Sequence, residues 1–170
     1  NGRYYNAFKA EVLILFAQIF CRKLYVIHNF RKHLILRFSW KVEWIEQKVA
    51  SETVHHKLIP TKEREFDFLF CGRLETEKGA DALLNVNFER RSINIVGSGK
   101  YADQFKERFS GNYFPSMTQL ELALIYSKTK FLLNLSPSEG SPKVVLEALL
   151  NGCTVIALSN SFEKFSGFEE

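Results

Sequence analysis

The chain has 170 residues, 46% hydrophobic, 14% aromatic and 25% charged, with a formal net charge of +4. Those proportions belong to a globular domain with a sizeable core. Three cysteines and nine glycines exclude a disulfide-stapled mini-protein and a collagen-like repeat, and the apolar content excludes a disordered tail.

Charge is segregated along the sequence. Residues 1–62 carry 11 basic and 4 acidic side chains, a net of +7, whereas residues 63–170 carry 12 and 15, a net of −3. Residues 3–59 hold neither Gly nor Pro, so a boundary is expected near Pro60, with 1–60 a mainly helical appendage and 61–170 a separate domain. Within the appendage, Ala7–Lys23 and Lys41–Ala50 read as helices and Leu24–His28 as a short strand. The apolar run Val12–Cys21 contains Gln18 and is ten residues long, where a membrane span needs ~20. No small-residue cleavage site follows it, so it reads as a buried or interfacial helix rather than a signal peptide. A basic segment with Phe and Trp suits peripheral contact with an anionic membrane surface or a lipid-diphosphate group; a solvated helical face is the simpler alternative. Nucleic acid is not expected, because no groove-reading motif accompanies the charge.

Beyond Pro60 the pattern changes to short apolar runs separated by helical stretches. Phe66–Cys71 reads as a buried strand, and Gly72 lets the chain turn closely past a ligand. Arg73 follows at the carboxyl end of that strand and Lys78 opens the next helix. Together they offer a guanidinium fork and a mobile ammonium to phosphate oxygens; the bland alternative is a pair of surface cations partnered by Glu75 and Glu77. The next strand is Ser92–Val96. Its Gly97-Ser98-Gly99 turn lacks the third glycine and the acidic strand end of a dinucleotide-binding fingerprint. A strand at Asn112–Phe114 precedes a turn around Pro115, and Thr118-Gln119-Leu120-Glu121 forms a capping box. It starts a helix through Tyr126, with a stripe of Leu120, Ala123, Leu124 and Ser127. Strands Phe131–Leu135 and Cys153–Leu158 complete the set. Continuous apolar strands alternating with helices predict an α/β fold, a doubly wound parallel sheet covered on both faces.

Between the last two strands lies SPSEGSPKVVLEALLNG, Ser136 to Gly152. Ser141 suits an N-cap, Pro142 the first helical position, and Asn151-Gly152 a left-handed exit. Glu139 sits in the loop and Glu147 in the helix. The amides of Gly140, Ser141, Lys143 and Val144 point from the positive end of the helix dipole, so the junction can hold an anion beside a carboxylate.

GRLETEKG, the VGSG turn and SPSEGSPKVVLEALLNGCTVIA, taken in that order, resemble the nucleotide-sugar-binding half of retaining GT-B glycosyltransferases. The likeness runs from about Phe66 to Ser159 and rests on the E-x7-E pair plus the arginine and lysine. It implies that Arg73 and Lys78 contact the donor pyrophosphate and that Glu139 lies by the donor sugar, making these three the catalytic group. Glu147 would hydrogen-bond the ribose hydroxyls, with Gly72, Gly97, Ser116, Met117, Gly140, Ser141, Pro142, Lys143 and Val144 around the donor. Ser116 and Met117 fall in the loop where relatives hold the nucleobase.

The reaction implied is sugar transfer with retention from a nucleoside-diphosphate sugar to a saccharide or lipid-linked acceptor, in surface polysaccharide or glycoconjugate assembly. Residues 1–60 would then be the remnant of an acceptor-side domain. Relatives continue further and carry a full acceptor domain, so a fragment or truncated relative is expected, and a non-catalytic nucleotide-sugar-binding module or a GT-B-fold epimerase remain as rivals. The sequence carries no Asp-x-Asp, so no cofactor and no metal are expected. Cys21, Cys71 and Cys153 are odd in number and widely spaced, as for reduced core thiols in the cytoplasm. His55-His56 lacks companions at metal-ligand spacing, and His28 is left outside the site.

Overall fold

The structure, a computed structural model, describes residues 24–26, 42–44, 49, 54, 59–89, 91–109, 112–137 and 142–158. Two compact units divide at Lys48 and Val49. In the first, strand β1 (Leu24–Val26) pairs in parallel with β2 (Val42–Trp44), Leu24 opposite Val42. The helix expected over Lys41–Ala50 is therefore corrected: its start is a strand, Val42 and Trp44 being residues that suit a pleated surface once a partner strand exists. The helix expected at Ala7–Lys23 lies outside the described residues.

In the second unit five strands form one parallel sheet: β3 (Phe66–Cys71), β4 (Ile93–Val96), β5 (Tyr113–Phe114), β6 (Thr129–Asn134) and β7 (Thr154–Ala157). Their spatial order is β5-β4-β3-β6-β7. Helices α1 (Ala80–Leu84), α2 (Ala102–Arg108), α3 (Gln119–Ser127) and α4 (Lys143–Leu150) occupy the successive crossovers. All five strands match expected ones to within one or two residues, because each apolar run is long enough for a strand and too short for a helix.

Neighbouring residues on each strand feed opposite faces. Leu69, Val96 and Leu132 join Ile125 and Tyr126 of α3 and Val145 and Ala148 of α4 in one core cluster. Phe70, Ile95 and Leu133 join Ala80 and Leu83 of α1 and Phe105 of α2 in the other. Helices thus cover both faces, as strands with apolar residues on both sides require.

The α3 stripe is a second correction. Its capping box is present, with Thr118 Oγ1 accepting from the Glu121 amide, but Leu120 and Leu124 are exposed while Ala123, Ile125, Tyr126 and Ser127 are buried. The buried arc centres on Tyr126, whose fully enclosed ring fills the space above the sheet and whose hydroxyl finds a buried acceptor. At the amino edge, Arg64 donates to the carbonyls of Ile59, Thr129 and Asn151 at 2.9, 2.7 and 3.2 Å. That buried guanidinium ties the start of β6 to the carboxyl end of α4, where the helix dipole favours a cation.

Candidate functional site

Chain order runs outward from β3 to β5, returns to the other side of β3 at β6, and then runs outward to β7. The reversal leaves a crevice between the carboxyl ends of β3 and β6, the place where open parallel sheets hold ligands. A cavity of about 180 Å³ lies there, lined by the β3 end (Phe70, Cys71, Gly72), Lys78, the β6 end (Leu133, Asn134) and the start of α4 (Pro142 to Val145). It is smaller than the ~300–1,000 Å³ of most ligand pockets, so a larger ligand would extend along the strand ends.

Local chemistry braces this corner. Thr76–Lys78 is a single 3-10 turn closed by Gly79 at φ 73°, so Lys78 ends a turn rather than opening a helix. A Cβ on Gly79 would lie 2.3 Å from the Leu135 carbonyl oxygen, which shows how tightly the turn sits on the loop after β6. Ser136 Oγ donates to the Glu77 carbonyl at 3.3 Å across the same junction. The loops after β3 and β4 are joined likewise: the Gly72 amide donates to Val96 and the Leu74 amide to Ser98. A Cβ on Gly97 would stand 1.9 Å from the Gly72 carbonyl oxygen, so only a bare Cα fits there.

Helix α4 begins one residue later than its sequence implies. Pro142 is the N-cap, with ψ at 101°, and its carbonyl accepts from Val145 and Leu146 at 3.0 and 3.3 Å. The preceding Lys143 and Val144 amides have no intrahelical acceptor, as in any first turn, and both residues line the cavity. Gly152, at φ 76°, provides the left-handed exit.

The structure gathers some sequence-predicted residues and separates others. Gly72, Lys78, Pro142, Lys143 and Val144 line the cavity together. Arg73, the residue after Gly72, is exposed, its guanidinium 3.0 Å from Glu77. An exposed pair of this kind contributes roughly 0–1 kcal/mol, little enough for a phosphate to displace the carboxylate. Gly97, Ser116 and Met117 follow the β4 and β5 ends, farther along the same edge, with Met117 packed on the α3–α4 side. Glu139, Gly140 and Ser141 lie outside the described residues.

Glu147 lies on the inner side of α4, 6% exposed. The Tyr126 hydroxyl donates to its Oε2 at 3.4 Å. Burial holds its carboxyl above the ordinary range, while Lys143 one turn earlier and the Tyr126 hydroxyl act the other way. Burial likewise pushes the Cys71 thiol up to about 11, and the nearby Glu147 charge adds to that effect. Cys71, Tyr126 and Glu147 thus form one buried polar group below the end of β3.

Asn134 was missed in the sequence reading. The available signal was an amide interrupting the apolar run FLLNL, in a strand whose other side chains feed two cores. Among the described residues no group of His, Cys, Asp and Glu is arranged to hold a metal ion, and no helix is long and apolar enough to cross a membrane.

The sheet order, its two helical layers and the switch-point crevice define a Rossmann-like α/β protein, the fold found in GT-B glycosyltransferases. No protein-family model matches the chain, and no curated protein matches it in sequence. Its likeness is to solved structures. The pneumococcal O-GlcNAc transferase GtfA, in complex with UDP and GlcNAc, is 19% identical with a TM-score of 0.57, covering 83% of this chain and 31% of that one. Anabaena Alr3699/HepE, in complex with UDP and glucose, is 15% identical with a TM-score of 0.61, covering 95% and 50%. A glycosyltransferase from Rickettsia africae is 16% identical with a TM-score of 0.59, covering 88% and 48%. The chain therefore spans no more than half the length of these structures.

Proposed function

We propose that residues 61–170 bind the nucleoside-diphosphate sugar of a retaining glycosyltransferase that transfers to a saccharide or lipid-linked acceptor in surface-glycan assembly. The observation that carries the reading is the meeting of Lys78, Gly72 and the first turn of α4 in the switch-point crevice, with Arg73 next in the chain after Gly72. Lys78 and the Lys143 and Val144 amides are donors of the kind a diphosphate needs. In this reading the base lies toward Ser116 and Met117, the ribose meets Glu147, and the diphosphate and sugar meet the α4 amides and Glu139.

Departure of the nucleoside diphosphate puts negative charge on its terminal phosphate. Arg73, Lys78 and the fixed α4 amides stabilise that charge where it develops, so no metal ion is required. With retention, the acceptor approaches the face the diphosphate leaves, and a leaving phosphate oxygen takes the acceptor proton. The basic residues 1–62 suit contact with an anionic membrane at its cytoplasmic face.

The test is calorimetric titration with UDP, GDP and ADP in metal-free buffer. UDP is the first choice because GtfA and HepE are seen with it. Lys78→Ala is expected to weaken the best nucleotide by about 1–3 kcal/mol, the loss of one charge-assisted bond. Equal affinity in the variant would remove Lys78 from the site, and no binding of any nucleotide would remove the donor-site reading.

A further inference from the structure

We propose that Asn134 is a specificity-determining residue whose side-chain amide donates a hydrogen bond to the terminal phosphate of the bound nucleoside diphosphate. The proposal rests on the donor-site reading above and adds a group which that reading does not contain. Asn134 ends β6, opposite Ala157 of β7. Its flanking residues Leu133 and Leu135 both pack on the α1–α2 side. Strand alternation therefore turns Asn134 toward the α4 side, as it does Leu132.

There Asn134 lines the cavity with Lys78, Lys143 and Val144. Its Nδ2 is buried and has no hydrogen-bond partner among the described residues. A buried amide donor left unpaired after the apolar residues Phe131 to Leu133 is unfavourable for the fold alone. Asn94, the other such amide nitrogen among the described residues, does not line this cavity, so cavity position sets Asn134 apart. Among the described residues that line the cavity with Asn134 are two lysines and the first residues of α4, whose amides are donors. An acceptor with several oxygens suits such a corner, and a phosphate at the α4 terminus supplies one to Nδ2 as well. Because the donor is neutral and fixed on a strand, it selects for a phosphate at that depth, which a nucleoside monophosphate does not extend to.

Calorimetry of wild type, Asn134→Ala and Asn134→Asp with UDP and UMP, and with the GDP/GMP and ADP/AMP pairs, tests this. For the diphosphate that binds, Asn134→Ala is expected to lose about tenfold in affinity, with the matching monophosphate unchanged. Asn134→Asp, which keeps the shape and places a carboxylate against the phosphate, is expected to lose more. Thermal unfolding of the ligand-free proteins supplies the second readout: Asn134→Leu should unfold at the same or a higher temperature than wild type, whereas a residue needed for folding would lower it. An unchanged diphosphate affinity in Asn134→Ala, or equal losses for diphosphate and monophosphate, overturns the proposal. If Lys78→Ala weakens binding while Asn134→Ala does not, the donor site stands without Asn134; if wild type binds no nucleotide, both fall.

Discussion

Replacing Glu147 by Gln removes a charge from beneath α4 and keeps the shape of the side chain. The carboxylate is 6% exposed, and its hydrogen bond from Tyr126, at 3.4 Å, is long beside the ~2.7–2.8 Å usual for O–H···O. Its ionised form is therefore undercompensated in the ligand-free fold, and an incompletely satisfied buried polar group costs about 1–3 kcal/mol. Since burial raises the folded-state pKa above the ordinary 4.5, the stabilising form is the protonated one. That contribution is fully present below the unfolded pKa and is lost as pH rises through the folded pKa. Glu147→Gln should thus match wild type near pH 4 and be more stable by about 1–2 kcal/mol near pH 7.5, raising the midpoint by about 4–8 °C. Thermal unfolding followed by circular dichroism at both pH values gives the difference directly. A variant less stable at neutral pH, or a difference that does not change with pH, would refute the reasoning. In the donor-site reading the same substitution weakens nucleotide binding, because it removes the carboxylate that accepts from a ribose diol.

Arg64→Ala takes the guanidinium from the carbonyls of Ile59, Thr129 and Asn151, and about 1–3 kcal/mol of stability should go with it; a denaturant titration showing no measurable loss would mean that water replaces the guanidinium readily. Gly79→Ala forces a left-handed φ on a residue with a Cβ and drives that Cβ into Leu135. A loss of at least about 2 kcal/mol is expected, together with weaker nucleotide binding as the Lys78 turn is displaced; calorimetry and thermal melts on one preparation read both. The Cys71 and Cys153 thiols, each pushed up to about 11, should react slowly with a disulfide reagent at pH 7.5 in the native protein and rapidly once it is unfolded, since the thiolate is the nucleophile.

Much of the parallel sheet was legible because its information is local. Phe68–Cys71 is apolar on both faces, Thr118 and Glu121 cap each other within one turn, and Gly152 ends α4 without help from distant residues. Assigning Gly72, Lys78 and the α4 start to one crevice was also within reach, since the carboxyl ends of parallel strands lie at the same edge whatever their order. Which strands flank the crevice was not. That depends on β6 returning beside β3, a pairing between Phe66 and Thr129 that no local pattern encodes.

Several properties came only from tertiary packing. The Val42–Trp44 strand needed Leu24–Val26 as a partner, and a run compatible with a helix became a strand once that edge was available. The outward turn of Leu120 and Leu124 followed from the size of Tyr126 and the depth of its acceptor. Glu147 could be placed on a helix from sequence, but its burial, and hence its raised pKa, depends on α3 and β3 closing around it. The unpaired amide of Asn134 is of the same kind. The sequence by itself determined the elements and the residue types at the crevice, because propensity, capping and periodicity act over a few residues. The tertiary structure alone decided which of those residues face one another and how much water they keep, because desolvation is set by everything that packs around a group.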